Sequence, residues 1–215
     1  MRYTSVLFDL DGTLLDTLGD LTAAMNRTLT RHGLPERTRQ QMRAALGNGA
    51  RRLMELSVPA GTDSALFETL LAEYNADYAA HCRIETAPYP GVAALLLKLH
   101  AQGRKLAIVS NKPDEAVRAL RAEFFADTVP IAVGEKQGIR RKPAPDTLLA
   151  AMEQLGADPD KTVFVGDSEV DIATARAANL PCISVLWGFR DRDVLERAGA
   201  QQFAADAGEL ARLLD

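Results

Sequence analysis

The sequence predicts an α/β protein with a doubly wound parallel sheet and an inserted α-helical subdomain. Short, almost continuously apolar runs alternate with helical patterns over most of the chain. Strands that are buried on both faces of a parallel sheet have this composition, and strand–helix alternation is typical of a sheet covered by helices. One long segment near the start of the chain shows helical periodicity only, which indicates a second unit.

Five apolar runs are predicted to form the strands of a Rossmann-like core. The runs are Thr4–Phe8, Lys105–Val109, Val129–Val133, Thr162–Val165 and Cys182–Leu186. Helices are predicted at about 91–102, 113–123, 146–156, 169–178 and 191–198. In open parallel sheets ligands bind beyond the carboxyl ends of the strands, so functional side chains are expected where these runs end.

The inserted segment is predicted to form a helical cap subdomain over residues 17–87, leaving residues 1–16 and 88–215 as the catalytic core. Its helices are expected at about 18–32, 36–46, 50–57 and 63–80. Thr17 and Asp20 have the spacing of a capping box at the start of the first of them. The proline-rich stretch Ala87–Gly91 is predicted to be the return linker.

Composition narrows the class of partner. The chain has 215 residues, 47% hydrophobic content and a formal net charge of -4, which does not favour nucleic acid or a membrane surface as a partner. Two cysteines without metal-ligand or redox spacing predict free thiols. With no signal peptide and no membrane span in the sequence, a cytoplasmic location is expected, whereas the oligomeric state is left open.

Four aspartates fall at the predicted carboxyl ends of the first and fourth strands. Asp9 closes the first strand and is followed by Asp11, while Asp167 closes the fourth and is followed by Asp171. Two carboxylates about 4 Å apart repel by about 4 kcal/mol at an effective dielectric of about 20, so such a cluster requires a cation. Oxygen ligands without His or Cys favour Mg²⁺ over zinc. The pattern therefore predicts a Mg²⁺ site for phosphoryl chemistry.

Groups that could hold a phosphate follow the other strands. Ser110 and Asn111 end the second strand with hydroxyl and amide donors, and Lys142 precedes the helix that leads to the fourth. Phosphoryl transfer depends mainly on positioning and charge neutralisation. Asp9, at a rigid strand end, suits a nucleophile that forms an aspartyl phosphate. Asp11, on the following turn, suits a proton donor to the leaving oxygen.

These residues resemble, in order, the four motifs of the haloacid dehalogenase superfamily. Residues 9–14 (DLDGTL) resemble the first motif, 109–111 (VSN) the second, 142–143 (KP) the third and 166–171 (GDSEVD) the fourth. The ordered set covers the whole core and is far more specific than any one motif. The helical segment after the first motif resembles the small cap of these enzymes.

The resemblance implies a role for each residue. Asp9 would be the nucleophile and a Mg²⁺ ligand. Asp11 would be the acid/base, with its carbonyl on the metal. Ser110 and Lys142 would hold the phosphoryl group, Thr13 would support the phosphate site, and Asn111 would contribute to substrate binding. Asp167 would ligate the metal directly, and Asp171 mainly through water. The resemblance also implies a cis peptide bond between Lys142 and Pro143.

Within the superfamily, the cap segment 46–55 (LGNGARRLME) resembles the specificity loop of phosphoglycolate phosphatases. The resemblance implies a phosphomonoester hydrolase with 2-phosphoglycolate as substrate. The start of a helix offers N–H groups to an anion, so Gly49 is predicted to bind substrate. Arg51 or Arg52 could pair with a substrate carboxylate, and Arg51 is the residue we assign.

Several alternatives remain open at this stage. Asp171 could close a capping box with Ser168, and Arg51 and Arg52 could lie on a solvated helix face. Trp187 and Phe189 are expected to serve in packing. A phosphatase for another sugar phosphate or pyrophosphate has the same core motifs, as does a phosphosugar mutase of the β-phosphoglucomutase type. A non-catalytic binding module is disfavoured because both motif-one aspartates are present.

Overall fold

The fold is seen in a computed structural model that describes residues 2–215. The strands are β1 Ser5–Phe8, β2 Leu15–Asp16, β3 Ala87–Pro88, β4 Lys105–Pro113, β5 Ile131–Glu135, β6 Thr162–Gly166, β7 Cys182–Val185 and β8 Phe203–Ala204. The helices are α1 Leu18–Arg31, α2 Arg39–Ala45, α3 Gly49–Ser57, α4 Ser64–His81, α5 Val92–Ala101, α6 Asp114–Phe124, α7 Asp146–Leu155, α8 Glu169–Ala177, α9 Arg192–Arg197 and α10 Ala207–Leu214. Within the described residues, no helix has both the length and the apolar character needed to cross a bilayer.

Six strands form one parallel sheet in the order β5-β4-β1-β6-β7-β8. The chain starts at β1, builds outward on one side through β4 and β5, and returns to the other side of β1 at β6. The order therefore reverses at β1, and the carboxyl ends of β4, β1 and β6 form the crevice at which ligands bind in such sheets. The predicted doubly wound α/β fold is confirmed.

The sheet is buried on both faces, as its continuous apolar runs predicted. Val6, Leu7 and Phe8 are all completely buried although successive side chains point to opposite faces. One cluster on the side of α7 contains Leu7, Val109, Val133, Phe164 and Leu148. Helices on both faces thus fix the strand ends from which the functional side chains project.

The strands depart from the prediction in several places. β4 continues to Pro113, β5 is shifted to Ile131–Glu135, and the short strand β8 with α10 closes the chain. The first difference matters for the site, because residues 110–112 belong to the strand rather than to the turn after it.

The chain divides into two compact units. One contains the residues up to Asp16 together with Pro88–Asp215, and the other contains Thr17–Ala87. The first unit holds the parallel sheet and α5 to α10, and the second holds α1 to α4. Apart from the six-stranded sheet, β2 and β3 pair as a two-stranded sheet.

The predicted capping box at the start of α1 is wrong. Thr17 makes no side-chain capping hydrogen bond, and the carboxylate of Asp20 is used elsewhere in the helical unit. It accepts the backbone N–H groups of Ile84, Glu85 and Thr86 at 3.0–3.1 Å and the Thr86 hydroxyl at 2.8 Å. Asp20 therefore ties the start of α1 to the last residues of the unit, a long-range contact that a local spacing rule does not detect.

A buried carboxylate joins α1 to α4 within the helical unit. The Asp77 side chain is only 3% exposed and accepts three hydrogen bonds from Arg27, two of them from Nε, and one from Arg31. Burial alone would raise the pKa of Asp77, but the hydrogen bonds and charge of Arg27, with those of Arg31, hold the pKa below its usual value. The ionised form is therefore the one that stabilises the unit.

We expect Asp77→Asn to destabilise the helical unit by about 1–3 kcal/mol at pH 7, the usual cost of disrupting a buried charged hydrogen-bond set. Because the folded-state pKa is lowered, the stabilisation by Asp77 is present above the unfolded pKa of about 4 and is lost as pH falls through the folded pKa. The difference between wild type and Asp77→Asn should therefore shrink below about pH 4. Urea unfolding followed by circular dichroism, at pH 7 and below about pH 4, measures this difference in stability.

Glu55→Gln is the matched control. Glu55 pairs with Arg52 on the surface of the same unit, with side chains 43% and 51% exposed, and exposed pairs of this kind contribute little. The control should change stability by less than about 0.5 kcal/mol. An equal effect of the two substitutions would show that Asp77 has no special part in joining the helices.

Candidate active site

The sheet brings the predicted residues of motifs one and four to one edge. β1 and β6 are direct neighbours, and the backbone N–H of Asp9 donates to Val165 O at 2.8 Å. Asp9, Asp167 and Asp171 form a buried group in which one oxygen of each lies within 4.8 Å of the others. The expectation that these aspartates converge rested on β1 and β6 being adjacent, and that adjacency is present.

Lys142 lies inside this group. Its Nζ is 2.7 Å from Asp9 Oδ1, 2.7 Å from Asp171 Oδ1 and 3.2 Å from Val109 O. The lysine side chain is 3% exposed. Burial lowers the pKa of Lys142, but the carboxylates of Asp171 and Asp9 more than reverse this and raise it, so the ammonium keeps its charge. A buried, permanently charged ammonium beside the predicted nucleophile suits a phosphoryl-binding group.

The side chain of Asn111 contacts the backbone of Lys142, next to Pro143. The Asn111 side-chain amide donates to the carbonyl of Lys142 at 2.9 Å. The Lys142–Pro143 peptide bond is cis, which confirms that expectation. In this geometry the amide of Asn111 supports the lysine backbone, whereas direct binding of substrate by Asn111 remains a prediction.

Asp171 serves the helix start and the acidic group at the same time. Its Oδ2 accepts the backbone N–H of Ser168 at 3.1 Å and the Ser168 hydroxyl at 2.7 Å, as in a capping box. Its Oδ1 is the atom that Lys142 contacts. The structural and functional interpretations of Asp171 are therefore compatible, because one oxygen is available for each.

The loop after β7 holds Asp167 in place. The backbone N–H of Phe189 donates to Asp167 Oδ2 at 2.7 Å, and the Thr13 hydroxyl contacts Asp167 Oδ1 at 3.3 Å. The indole N–H of Trp187 donates to the carbonyl of Thr13 at 3.0 Å. The expectation that Trp187 and Phe189 serve only in packing is therefore too narrow. The position of Trp187, directly after a strand at the same edge, was a signal that could have identified it, whereas the backbone N–H of Phe189 has no signal in the residue type.

Gly188 allows this loop to approach the site. A Cβ at this position would lie 2.5 Å from Asp167 Oδ2 and 2.5 Å from the carbonyl oxygen of Gly12. Such contacts are too close for any side chain, and one of them is with backbone. A glycine is therefore required where the loop after β7 packs against the first motif.

Asp11 has a partner that the motif analysis missed. Lys112 Nζ lies 2.7 Å from Asp11 Oδ1, and the two side chains are 5% and 18% exposed. Lys112 follows Ser110 and Asn111 directly in the sequence, so inspection of the next residue would have included it. Ser110 is buried, and its Oγ accepts the backbone N–H of Lys112 at 3.2 Å.

The carboxylates of the acidic group are difficult to ionise together. Burial raises the pKa of Asp9 well above its usual value, the neighbouring carboxylates raise it further, and Lys142 only partly opposes this. Burial likewise raises the pKa of Asp167 to about 7, with a contribution from Asp171 and opposition from the Phe189 N–H. The site therefore lacks positive charge near neutral pH.

The donor set fits one divalent cation that prefers oxygen ligands. Four carboxylates at this edge, Asp9, Asp11, Asp167 and Asp171, stand against two ammonium groups, Lys112 and Lys142. With all four carboxylates ionised, which a bound cation favours, the surplus of two negative charges equals the charge of one divalent ion. Buried carboxylates without a nitrogen or sulfur ligand are the set that suits Mg²⁺.

The two predicted cap residues lie in the helical unit. Gly49 is the first residue of α3. Arg51 makes a two-bond ion pair with Glu68, each bond 2.8 Å long, and its side chain is 48% exposed. Glu68 raises the pKa of Arg51, and Arg51 lowers the pKa of Glu68. Substrate contact by Gly49 and Arg51 remains a prediction.

A parallel sheet with a nucleophile candidate, a lysine and an acidic group at its carboxyl edge defines a class of hydrolases. Residues 6–185 match the family described as Haloacid dehalogenase-like hydrolase. The chain belongs to this family, as the four motifs predicted.

Relatives within the family carry phosphatase names. The chain is 35% identical over 192 residues to a phosphoglycolate phosphatase of Xanthomonas campestris pv. campestris, which covers 88% of this chain and 86% of the relative. It is 33% identical over 217 residues to the N-acetylmuramic acid 6-phosphate phosphatase of Pseudomonas aeruginosa, covering 100% and 96% of the two chains. A crystal structure of a candidate phosphoglycolate phosphatase from Lactobacillus delbrueckii subsp. bulgaricus superposes with a TM-score of 0.94 at 36% identity, covering 100% and 99% of the chains.

Proposed function

We propose that the protein is a Mg²⁺-dependent phosphomonoester hydrolase that works through an aspartyl phosphate on Asp9. The observation that carries this proposal is the buried contact of Lys142 Nζ with Asp9 Oδ1 and Asp171 Oδ1, at 2.7 Å each, inside a surplus of carboxylates. This contact supports the proposal because it would give one strand edge a nucleophile, a phosphate-binding ammonium and oxygen donors for a cation. Phosphoryl transfer requires little more than that set.

Each residue has a defined part in the proposed reaction. A carboxylate oxygen of Asp9 attacks the phosphorus, while Lys142 and the Ser110 hydroxyl hold the phosphoryl oxygens. Asp11 gives a proton to the ester oxygen as its bond to phosphorus breaks, and it then takes a proton from the water that hydrolyses the aspartyl phosphate.

The cation site consists of carboxylates and one carbonyl. Asp9, Asp167 and Asp171 would hold Mg²⁺ with the backbone carbonyl of Asp11, and Thr13 would support Asp167 through the hydroxyl contact described above. When bound, Mg²⁺ supplies positive charge to the phosphoryl oxygens. The charge count at this edge supports one such ion.

We propose 2-phosphoglycolate as the substrate. The names of relatives at about 35% identity support this choice, as does the cap segment that begins α3. In the proposed complex, N–H groups near Gly49 and the guanidinium of Arg51 bind the carboxylate end of the substrate. Arg51 would then exchange Glu68 for the substrate, since an exposed ion pair of this kind is held only weakly.

An amino-sugar phosphate is the second candidate. The relative named N-acetylmuramic acid 6-phosphate phosphatase aligns with all of this chain and 96% of its own length, whereas the first phosphoglycolate phosphatase aligns with 88% of this chain. Both candidates use the same core chemistry, so they differ only in what the cap accepts. The phosphosugar mutase alternative is not favoured over hydrolysis by any of these relatives.

Phosphate release from a panel of esters tests the proposal. The panel contains 2-phosphoglycolate, N-acetylmuramic acid 6-phosphate, glucose 6-phosphate and pyrophosphate, each with Mg²⁺ and with EDTA. We expect one of the first two to lead the panel and EDTA to abolish release in every case. If another ester leads, the substrate is wrong and the chemistry stands. If EDTA has no effect, the role of the cation is wrong.

The proposal includes a cytoplasmic location and a small-molecule substrate as the partner. Free Cys82 and Cys182 suit a reducing compartment. The acidic net charge of -4 favours neither a nucleic acid nor an anionic membrane as partner. Fractionation of the producing cell, followed by immunodetection, tests the location.

A further inference from the structure

Lys112 is the second buried lysine at the active-site edge, and neither the motifs nor the family resemblance gives it a role. We propose that Lys112 is a positioning residue that holds Asp11 for proton donation to the leaving-group oxygen. The inference rests on the proposed phosphatase function. It starts from the 2.7 Å contact of Lys112 Nζ with Asp11 Oδ1, between side chains that are 5% and 18% exposed.

The extension of β4 places Lys112 beside Asp11. In the pairing of β4 with β5, partners advance from Val109 to Pro113 on one strand but only from Val133 to Glu135 on the other. The additional residues on β4 are therefore accommodated by an irregularity between Val109 and Pro113. Bulges of this kind redirect side chains and are common next to active sites. Lys112 lies within this bulge, and its backbone N–H donates a hydrogen bond to Ser110 Oγ.

The backbone of the bulge is held by close packing against β5. A Cβ at Gly134 would lie 2.7 Å from Lys112 O and 2.5 Å from the Cα of Asp114, and both of these atoms are backbone. The Gly134 N–H also donates to Asp114 Oδ1 at 2.9 Å. Lys112 thus projects from a segment with little freedom to move, which is what a positioning residue requires.

Stability does not account for a lysine at this position. Burying an ammonium costs several kcal/mol, and a buried ion pair often does no better than apolar residues of the same volume. The two lysines of the edge also serve different carboxylates, because Lys142 contacts Asp9 and Asp171 while Lys112 contacts Asp11. The contact of Lys112 with the proposed proton donor therefore calls for a functional explanation.

The contact matches what the proton-transfer step needs. A general acid must lie within hydrogen-bond reach of the oxygen that it protonates. As the ester P–O bond breaks, its electron pair takes the proton of Asp11, and the carboxylate left behind is stabilised by the ammonium of Lys112. Lys112 keeps its three protons throughout. Its contribution is to orient Asp11 and to stabilise the charge that Asp11 acquires.

The test compares esters that need a proton on the leaving group with one that does not. The leaving group of 2-phosphoglycolate is an alkoxide, whereas that of p-nitrophenyl phosphate is a stable phenolate. We expect Lys112→Met to lower kcat/KM for the best alkyl ester of the panel about 100-fold, the loss typical of a misplaced catalytic group. For p-nitrophenyl phosphate the loss should stay below about threefold, since no proton is required.

Three variants complete the experiment. Asp11→Asn should show the same preference for the aryl ester, and adding Lys112→Met to it should cause no further loss, because the two residues act as a unit. Lys112→Arg keeps the charge and should lose less on the alkyl ester than Lys112→Met. Lys98→Met removes an exposed lysine of α5 and should leave both esters unaffected.

The outcomes separate this inference from the proposed function. Suppose that Asp11→Asn discriminates between the two esters. If Lys112→Met then loses activity equally on both esters, or on neither, the role of Lys112 alone is overturned. If Lys112→Met does not fold, the same comparison with Lys112→Arg decides. If wild-type protein releases phosphate from no ester, the proposed function itself has failed. The concentration of Mg²⁺ at half-maximal rate should not change in Lys112→Met, because the carboxylates of Asp9 and Asp171 are paired with Lys142, which this variant keeps.

Discussion

Asp9→Asn is expected to abolish phosphate release, with kcat falling by at least about 1,000-fold on every ester of the panel. The amide has nearly the shape of the carboxylate but is a poor nucleophile and cannot form the aspartyl phosphate. It also removes one anionic ligand from the proposed cation site. Stopped assays with Mg²⁺ and the leading ester measure the effect directly.

Folding should survive this substitution. Asp9 is one of four carboxylates that face two ammonium groups. Burial and the other carboxylates raise its pKa, so removing its charge relieves desolvation and repulsion in the metal-free protein. The melting temperature of Asp9→Asn in EDTA is therefore expected to be no lower than that of wild type. Retention of more than a tenth of the wild-type rate would exclude Asp9 as nucleophile. A large loss of melting temperature would instead assign it a structural role.

Much of this site could be anticipated because its chemistry follows strand ends. Asp9, Ser110 and Asp167 each come directly after an apolar run, and parallel strands align such positions at one edge. The remaining condition was the order of strands. Sequence alone did not establish that β1 lies between β4 and β6, and this order is what brings Asp9 and Asp167 together.

Other parts of the site had no comparable signal. The hold on Asp167 comes from a backbone N–H, that of Phe189, and any residue type can supply one. The pairing of Lys112 with Asp11 depends on a bulge that carries β4 beyond its predicted end. A two-residue strand such as β8 is too short for a pattern of period two. Backbone contacts and register, rather than residue types, therefore limited the prediction.

In the helical unit, too, a contact that residue spacing does not reveal limited the prediction. The spacing of Thr17 and Asp20 satisfied a local capping rule, yet Asp20 binds backbone N–H groups of residues 84–86. The three N–H donors at the far end of the unit bind this carboxylate more strongly than the single N–H at the start of α1 would. A tertiary contact thus replaced a local one, which sequence spacing alone could not reveal.

Lys142→Met is expected to lower both activity and stability. Loss of a preorganised charge on the phosphoryl group should reduce kcat about 100-fold to 1,000-fold. Because Lys142 Nζ contacts Asp9 and Asp171 in a region where its side chain is 3% exposed, its removal leaves buried carboxylates uncompensated. Breaking one side of a buried pair destabilises by about 3–5 kcal/mol. Phosphate release and urea unfolding in EDTA measure the two effects.

Added Mg²⁺ distinguishes this explanation from a simple loss of packing. Without Lys142 the edge carries a surplus of three negative charges instead of two, so a cation that binds only the folded state should stabilise Lys142→Met more than wild type. The rise in melting temperature on adding Mg²⁺ should therefore be larger in the variant, and Lys98→Met should behave as wild type. An equal rise in both proteins would mean that Lys142 and the cation do not neutralise the same carboxylates, and the assignment of the acidic group as the metal site would have to be given up.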